Sequence, residues 1–264
     1  MGRINWRNAH CMGSIVDGDE TSKTFGRSCR GNISPLYWRI PILLWSVVII
    51  TWSVCFFWGS REKFFIYMTH WGLMIISLES LFGIIVTVRK TRQEKSDATF
   101  GLPWYVKTYW VLYNIAIPVS FLVSGFYWGL LRSKAGNMDY FTPNPVLDVM
   151  LHGINSAVML VELISSAHPS RLLHIMQPLM FAGVYLLFTV IYFYAGGHDP
   201  WGHEYIYPVM DWNKPRETIV VAALSGLFLA LMHIVVVAIS TLRDVIARRF
   251  LRDVNGVYNN AFSA

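Results

Sequence analysis

The sequence predicts an all-α fold, a polytopic membrane bundle of six transmembrane helices. Three observations predict it: 54% of the 264 residues are hydrophobic, only 14% are charged, and the mean hydropathy is +0.41. Soluble domains average about 25% charged residues, so this chain has too few polar groups to cover a soluble surface. An aromatic content of 15% excludes disorder, and three dispersed cysteines exclude a disulfide scaffold.

Six apolar stretches are long enough to cross a bilayer. A span needs about 20 residues, because no water is present in the bilayer core to satisfy exposed backbone groups. In chain order, the predicted spans are 40–58, 64–88, 109–131, 146–167, 175–194 and 219–242. The chain is therefore expected to divide into a flexible N-terminal segment (1–35), a six-span domain (36–243) and a C-terminal tail (244–264).

Basic residues predict the direction of the spans. Sixteen of the 22 Lys and Arg residues lie before the first span, in the loops after the second and fourth spans, and after the sixth span. Because basic residues are enriched on the cytosolic side, we expect both termini in the cytosol of a plasma-membrane or endoplasmic-reticulum protein. The net charge of +6 is thus a topology signal, and nothing predicts nucleic-acid binding. The polar first 35 residues do not resemble a cleavable signal peptide.

Polar residues of the even-numbered spans define an outer layer. An ionisable group inside a membrane is costly, so it requires a partner, a cavity or a function. At a helical rise of about 1.5 Å per residue, Thr69 and His152 both lie about 8–9 Å from the predicted outer surface. Asn155 follows His152 by one turn on the same face, whereas His70 points about 100° away from Thr69. One layer thus combines a hydroxyl, an imidazole and an amide.

A second layer lies deeper, toward the predicted cytosolic side, and contains Glu79, Glu162 and His233. Two carboxyl groups at one depth repel each other unless one is protonated or pairs with the imidazole. We interpret the three residues as a hydrogen-bonded cluster that holds the helices together. A direct role in substrate or proton handling is the alternative.

The segment between the fifth and sixth spans is rich in glycine, proline and aromatic residues, which predicts a compact loop above the outer layer. Tyr207 in this loop suits the membrane interface. Four loop residues resemble a metal-binding set: His198, Asp199, His203 and Glu204. Their spacing is not that of a known zinc site, so we expect a capping loop with no metal and no other cofactor.

Four short motifs together resemble the rolling stone protein family. They are YMTHWG (67–72), LHGIN (151–155), AHPSRLLH (167–174) and YPVMDW (207–212), and they occur in this order along most of the chain. The resemblance implies a multi-pass membrane protein associated with myoblast fusion in insects.

Rolling stone proteins are in turn distant relatives of the androgen-induced membrane proteins, which are six-span lipid esterases. That resemblance implies a threonine nucleophile early in the second span and a histidine early in the fourth, acting on fatty acid esters of hydroxy fatty acids. By position in the motifs, Thr69 matches the threonine and His152 the histidine. The esterases tend to carry Asn before this histidine and a second His three residues after it, where this chain has Leu151 and Asn155.

The hydrolase interpretation assigns a role to each polar group. A threonine hydroxyl is a poor nucleophile, so His152 is expected to accept the proton of Thr69. Asn155 or Asp199 would orient the imidazole, and Asn155 or Tyr207 would donate to the oxyanion. The expected partners are membrane lipids and a fatty acid ester that enters from the outer leaflet.

Two other classes of function stay open at this point. The first is a non-enzymatic membrane protein in cell–cell fusion or adhesion, as the rolling stone resemblance implies. The second is a haem-binding electron carrier, because His70, His152 and His233 all lie within spans.

Overall fold

A computed structural model describes residues 25–29, 33–57, 61–100, 102–132 and 144–261. Within these residues six helices are long and apolar enough to cross a membrane, which confirms the predicted fold class. They are α1 (Leu36–Cys55), α2 (Met68–Phe100), α3 (Trp104–Leu131), α4 (Pro145–Ser165), α5 (Leu172–Tyr194) and α6 (Pro215–Ala261). Most of the predicted N-terminal segment lies outside the described residues.

The helix ends differ from the predicted span ends by a few residues. Helix α1 begins at Leu36, so Arg39 lies in its first turn and not in the segment before it. A short 3-10 helix, Arg61–Ile66, occupies the predicted start of the second span, and α2 begins after it. Helix α6 continues to Ala261, through most of the predicted tail. Hydropathy marks where apolar residues end, whereas a helix continues as long as its backbone hydrogen bonds are satisfied.

Helix α3 lies at the centre of the bundle. It packs against α2, α4, α5 and α6, and 56% of its span is buried, against 17% for α5 and α6. Its fully buried side chains include Tyr109, Trp110 and Tyr113. The exposed faces of the outer helices are apolar, with residues such as Leu187 and Leu227 about 60% exposed or more. Such surfaces suit contact with lipid chains.

A fully buried ion pair joins α1 to α4. Arg39 Nη2 lies 2.8 Å from Glu162 Oε1, and both side chains have no solvent exposure. The carboxylate also accepts hydrogen bonds from Trp38 Nε1 at 2.6 Å and from the Tyr109 hydroxyl at 2.9 Å. The guanidinium donates to the Gly83 carbonyl of α2 at 2.9 Å and hydrogen-bonds with the Tyr109 hydroxyl. One ion pair therefore connects four helices.

The segment between α5 and α6 is ordered around Asp199. Its Oδ1 accepts the backbone N–H groups of Trp201 and His203 at 2.9 and 2.8 Å. Its Oδ2 lies 2.8 Å from His203 Nδ1, and its carbonyl accepts Lys63 Nζ at 2.7 Å. Gly202 closes this turn at a φ of +91°, a conformation that disfavours any residue with a side chain. We call residues 195–214 the cap, because two of its aromatic residues form part of the cavity wall beneath it.

Candidate functional site

A cavity of about 300 Å³ lies beneath the cap, among α2, α3, α4, α5 and α6. This volume is at the lower end of the range for small-molecule sites. Most of its wall is aliphatic or aromatic and includes Leu122, Phe126, Leu179 and Leu186. The polar groups of the wall come from few residues, among them Thr69, His70, His152, Tyr185 and Tyr207. The two residues predicted as nucleophile and base thus line one space.

Thr69 lies in the first turn of α2, next to a pair of tyrosines. The N–H of Met68 points to the hydroxyls of Tyr207 and Tyr185, at 3.0 and 3.1 Å. Tyr185 gives its own proton to the Ile66 carbonyl at 2.7 Å. The Tyr207 hydroxyl, in contrast, accepts from Met68 and also interacts with the Thr69 side chain. Tyr207 and Tyr185 also hydrogen-bond with each other, so the Tyr207 hydroxyl links the cap to both Thr69 and Tyr185.

The protonation of Tyr207 follows from its position in the cap. Only 8% of the residue is exposed, and burial raises the pKa of its phenol above the ordinary value of 10.0. The phenol consequently stays protonated throughout the neutral range, which a hydrogen-bond donor requires.

His152 lies in a π-turn of α4, Met150–Ile154. Its Nδ1 is 2.9 Å from Asp148 Oδ1 and 3.1 Å from the Asp148 carbonyl oxygen. Its ring stacks on Tyr127 with a centroid separation of 3.6 Å and an angle of 8° between the planes. Tyr127 begins a second π-turn, Tyr127–Leu131, at the end of α3. Isolated π-turns are rare, and those that occur are frequently located at functional sites. Two of them meet at the His152 imidazole, which indicates a functional site here.

Sequence reasoning did not single out Asp148. This carboxylate is nearly buried, and its second oxygen accepts Arg132 Nη1 at 2.8 Å. The Arg132 guanidinium lies over the Trp128 ring, 4.6 Å from its centroid, and Trp128 Nε1 donates to the His152 carbonyl at 3.0 Å. The sequence does contain one indication of this contact. Asp148 precedes His152 by four residues, which is about one helical turn, so the two side chains can meet on one helix face.

Asn155 and Asp199, the two residues expected to orient His152, lie elsewhere. Asn155 Oδ1 accepts Ser124 Oγ at 3.1 Å and Ser156 N–H at 2.7 Å, between α3 and α4 and outside the cavity wall. The expectation of a shared face assumed α-helical geometry, whereas a π-turn has more residues per turn and rotates the following residues. The Asp199 carboxylate is bonded within the cap, to the backbone N–H groups of Trp201 and His203. The carboxylate that contacts His152 is that of Asp148.

His70 is enclosed by its own neighbours. Its Nδ1 lies 2.5 Å from the Phe64 carbonyl and its Nε2 lies 3.2 Å from Ser53 Oγ. Both ring nitrogens thus have protein partners, and the ring stacks on Phe64 at 3.7 Å. A haem iron requires a free imidazole nitrogen, so this geometry argues against His70 as an axial ligand.

The three residues of the predicted inner layer separate in the structure. Glu162 belongs to the Arg39 ion pair, and Glu79 is buried close to both, with one oxygen accepting Ser80 Oγ at 3.2 Å. His233 does not pair with either carboxyl group, because its Nε2 donates to the Arg171 carbonyl at 3.0 Å. Arg39 was not predicted within a span, because the predicted first span begins one residue after it.

The fold and the cavity define a six-span membrane protein with a histidine–carboxylate pair and a threonine in a wall that is otherwise mainly apolar. The chain belongs to the rolling stone family: the family model described as protein rolling stone matches residues 27–262. It is 36% identical to protein rolling stone of Drosophila melanogaster over 182 residues, or 64% of this chain. The match spans 63% of the fly protein, less than two thirds of its length. No solved structure matches the chain.

Proposed function

We propose that this protein is an intramembrane lipid-ester hydrolase in which Thr69 is the nucleophile and His152 the general base. The observation that carries the proposal is that both side chains line one cavity of about 300 Å³ with a mainly apolar wall. A hydroxyl and an imidazole are the pair that covalent ester hydrolysis requires. The apolar wall supports an acyl chain as the part of the substrate that is bound.

The proposed reaction proceeds in two steps, acylation of Thr69 and hydrolysis of the acyl-threonine. His152 takes the Thr69 proton as the hydroxyl oxygen bonds to the ester carbonyl carbon, whose oxygen becomes an oxyanion. When the tetrahedral intermediate collapses, the bond to the alcohol oxygen breaks and His152 gives that oxygen its proton. Water then attacks the acyl-threonine, His152 accepts a proton from the water and returns it to Thr69, and a fatty acid leaves.

Tyr207 supports the oxyanion step. Its hydroxyl hydrogen-bonds with the Thr69 side chain, which supports it as the donor to the oxyanion, whereas the Tyr185 proton is used by the Ile66 carbonyl. A donor prepared in a site of low dielectric stabilises developing negative charge more strongly than water does. Fatty acid esters of hydroxy fatty acids are the substrates that the distant esterase resemblance suggests.

A fluorophosphonate probe with a long alkyl chain tests the nucleophile. We expect the purified, folded protein to be labelled and Thr69→Ala to be unlabelled. Thr51→Ala is the matched control, because the Thr51 hydroxyl bonds to the Val47 carbonyl of its own helix and Thr51 does not line the cavity. Folded wild-type protein without label, or equal labelling of Thr69→Ala, overturns the proposal.

The orientation belongs to the same proposal. Sixteen of the 22 basic residues support a topology with both termini in the cytosol, and the membrane is the plasma membrane or the endoplasmic reticulum. Epitope tags before residue 1 and after residue 264 are then accessible to antibody only after permeabilisation. Antibody binding to either tag in intact cells contradicts this topology.

A non-enzymatic role in cell–cell fusion or adhesion is the competing function, supported by membership of the rolling stone family. The two functions differ in their dependence on one hydroxyl. If the protein acts only as a fusion or adhesion component, Thr69→Ala expressed at the wild-type level retains full fusion activity. If fusion depends on hydrolysis, this variant loses it.

A further inference from the structure

We infer that Asp148 is a positioning residue that holds His152 in the tautomer and orientation needed to take a proton from Thr69. The inference rests on the proposed hydrolase function. It extends the nucleophile–base pair by a third group, and the three residues then have the roles found in serine hydrolases. Asp148 itself is not expected to touch the substrate, since it does not line the cavity.

The tautomer follows from the atoms around Nδ1. Asp148 Oδ1 at 2.9 Å and the Asp148 carbonyl oxygen at 3.1 Å are both acceptors. An acceptor cannot supply a proton, so Nδ1 of a neutral His152 carries it and the lone pair is on Nε2. Nε2 is therefore the nitrogen available to accept the proton of a hydroxyl. The stacked Tyr127 ring, parallel to the imidazole within 8°, fixes the plane in which that lone pair points.

The charges around the imidazole support the same role. When His152 takes the threonine proton it becomes a cation, and the carboxylate at 2.9 Å stabilises that cation. The second Asp148 oxygen is paired with Arg132 at 2.8 Å, so the carboxylate is held with one oxygen on each partner. Arg132 is 34% exposed, and solvent screens its charge more than that of Asp148, which is 5% exposed. Two more titratable groups of the described residues face this pair and line the cavity: Tyr127, whose hydroxyl hydrogen-bonds with Asp148, and His70.

A purely structural role for Asp148 is not required by its helix. An aspartate in the first turn of a helix often serves the unsatisfied N–H groups there. In α4 this task belongs to Asn144, whose Oδ1 accepts the N–H groups of Val146 and Leu147 at 2.9 and 3.2 Å. The Asp148 carboxylate contacts His152 and Arg132 instead, and it also hydrogen-bonds with the Tyr127 hydroxyl.

The kinetic test compares Asp148→Asn with the wild type, using hydrolysis of a 4-nitrophenyl ester of a long-chain fatty acid. The substituted amide retains the size of the side chain but can donate to Nδ1, which favours the tautomer with a blocked Nε2. We expect kcat per folded protein to fall by about 10³- to 10⁴-fold while KM changes little. Asp211→Asn in the cap is the matched control, since an amide oxygen still accepts the Asn213 N–H there.

A measurement on the unmodified protein keeps the inference testable if Asp148→Asn does not fold. The ¹⁵N shifts of histidine-labelled wild-type protein, assigned with His152→Gln, report which ring nitrogen carries the proton. A proton on Nδ1 supports the inference, and a proton on Nε2 overturns it. If the wild type hydrolyses the ester and Asp148→Asn is equally active, the positioning role fails and the hydrolase stands. If the folded wild type neither hydrolyses the ester nor is labelled, the proposed function itself fails.

Discussion

Tyr207 connects the cap to the first turn of α2. It accepts the Met68 N–H at 3.0 Å, interacts with the Thr69 side chain and forms part of the cavity wall. Its neighbour Tyr185 lines the same cavity, and the Tyr185 hydroxyl donates to the Ile66 carbonyl. In the proposed mechanism, this phenol hydroxyl of the cap is the donor to the tetrahedral intermediate.

Replacing this hydroxyl gives the first prediction. Tyr207→Phe is expected to lower kcat for ester hydrolysis by about 10²- to 10³-fold with little change in KM, because the lost hydrogen bond forms fully only in the transition state. The Met68 N–H retains Tyr185 as acceptor, so the fold persists. Tyr192→Phe, which removes a hydroxyl bonded to the His198 carbonyl outside the cavity, is the control. Wild-type kcat in Tyr207→Phe would exclude the donor role.

At the scale of helices, the Arg39–Glu162 pair determines how α1 meets α4. Desolvation makes a buried pair expensive, but removing one partner is worse because an uncompensated charge stays behind. The Glu162 carboxylate also accepts hydrogen bonds from Trp38 and Tyr109, so several contacts together fix the geometry of the pair. This network holds α2, α3 and α4 in a fixed relation below the cavity.

The second prediction is a double-mutant cycle across this pair. Arg39→Met and Glu162→Leu are each expected to lower the free energy of unfolding by about 3–5 kcal/mol. The double variant should lose clearly less than the two single losses together, because neither charge is then left buried alone. Thermal unfolding in detergent measures all four proteins. Strict additivity would show that the two side chains do not depend on each other.

Particular residues show what the sequence could predict at this scale. The number of helices followed from apolar runs of about 20 residues, and counting depth along α2 and α4 brought Thr69 and His152 to one level. Arg39 was not predicted inside a span, because hydropathy counts a charge as a cost and cannot register its partners on three other helices. The orientation of Asn155 away from His152 was not predicted either, because nothing in the sequence of residues 150–154 indicates a π-turn.

At the scale of the whole molecule, one buried histidine links stability to pH. His168 lies between α4 and α5, fully buried, with its ring stacked on Tyr113 at 3.7 Å. Burial, aided by the guanidinium groups of Arg243 and Arg39, holds the pKa of His168 well below its ordinary value of 6.5. Below about pH 6.5 the unfolded chain therefore binds a proton that the folded protein does not. This contribution to stability is complete above that pH and is lost progressively as the pH falls.

The third prediction concerns a variant that cannot bind this proton. His168→Phe retains an aromatic ring for the stack and has no proton to bind, so its Tm should fall less than that of the wild type between about pH 8 and about pH 5. A difference of about 2–4 °C is expected for each 1 kcal/mol of linkage in a chain of this size. Thermal unfolding in detergent at both pH values provides the comparison. Identical pH dependence in the two proteins would contradict the assignment.

If Thr69 is the nucleophile, a covalent acyl intermediate forms on its hydroxyl during turnover, and mass spectrometry can detect it. The folded protein is mixed with a 4-nitrophenyl ester of a long-chain fatty acid, quenched with acid during turnover and digested. We expect the acyl group on the peptide that contains Thr69 and no acyl group on this peptide in Thr69→Ala. An acyl group on another residue, or hydrolysis without any acylated peptide, would contradict it.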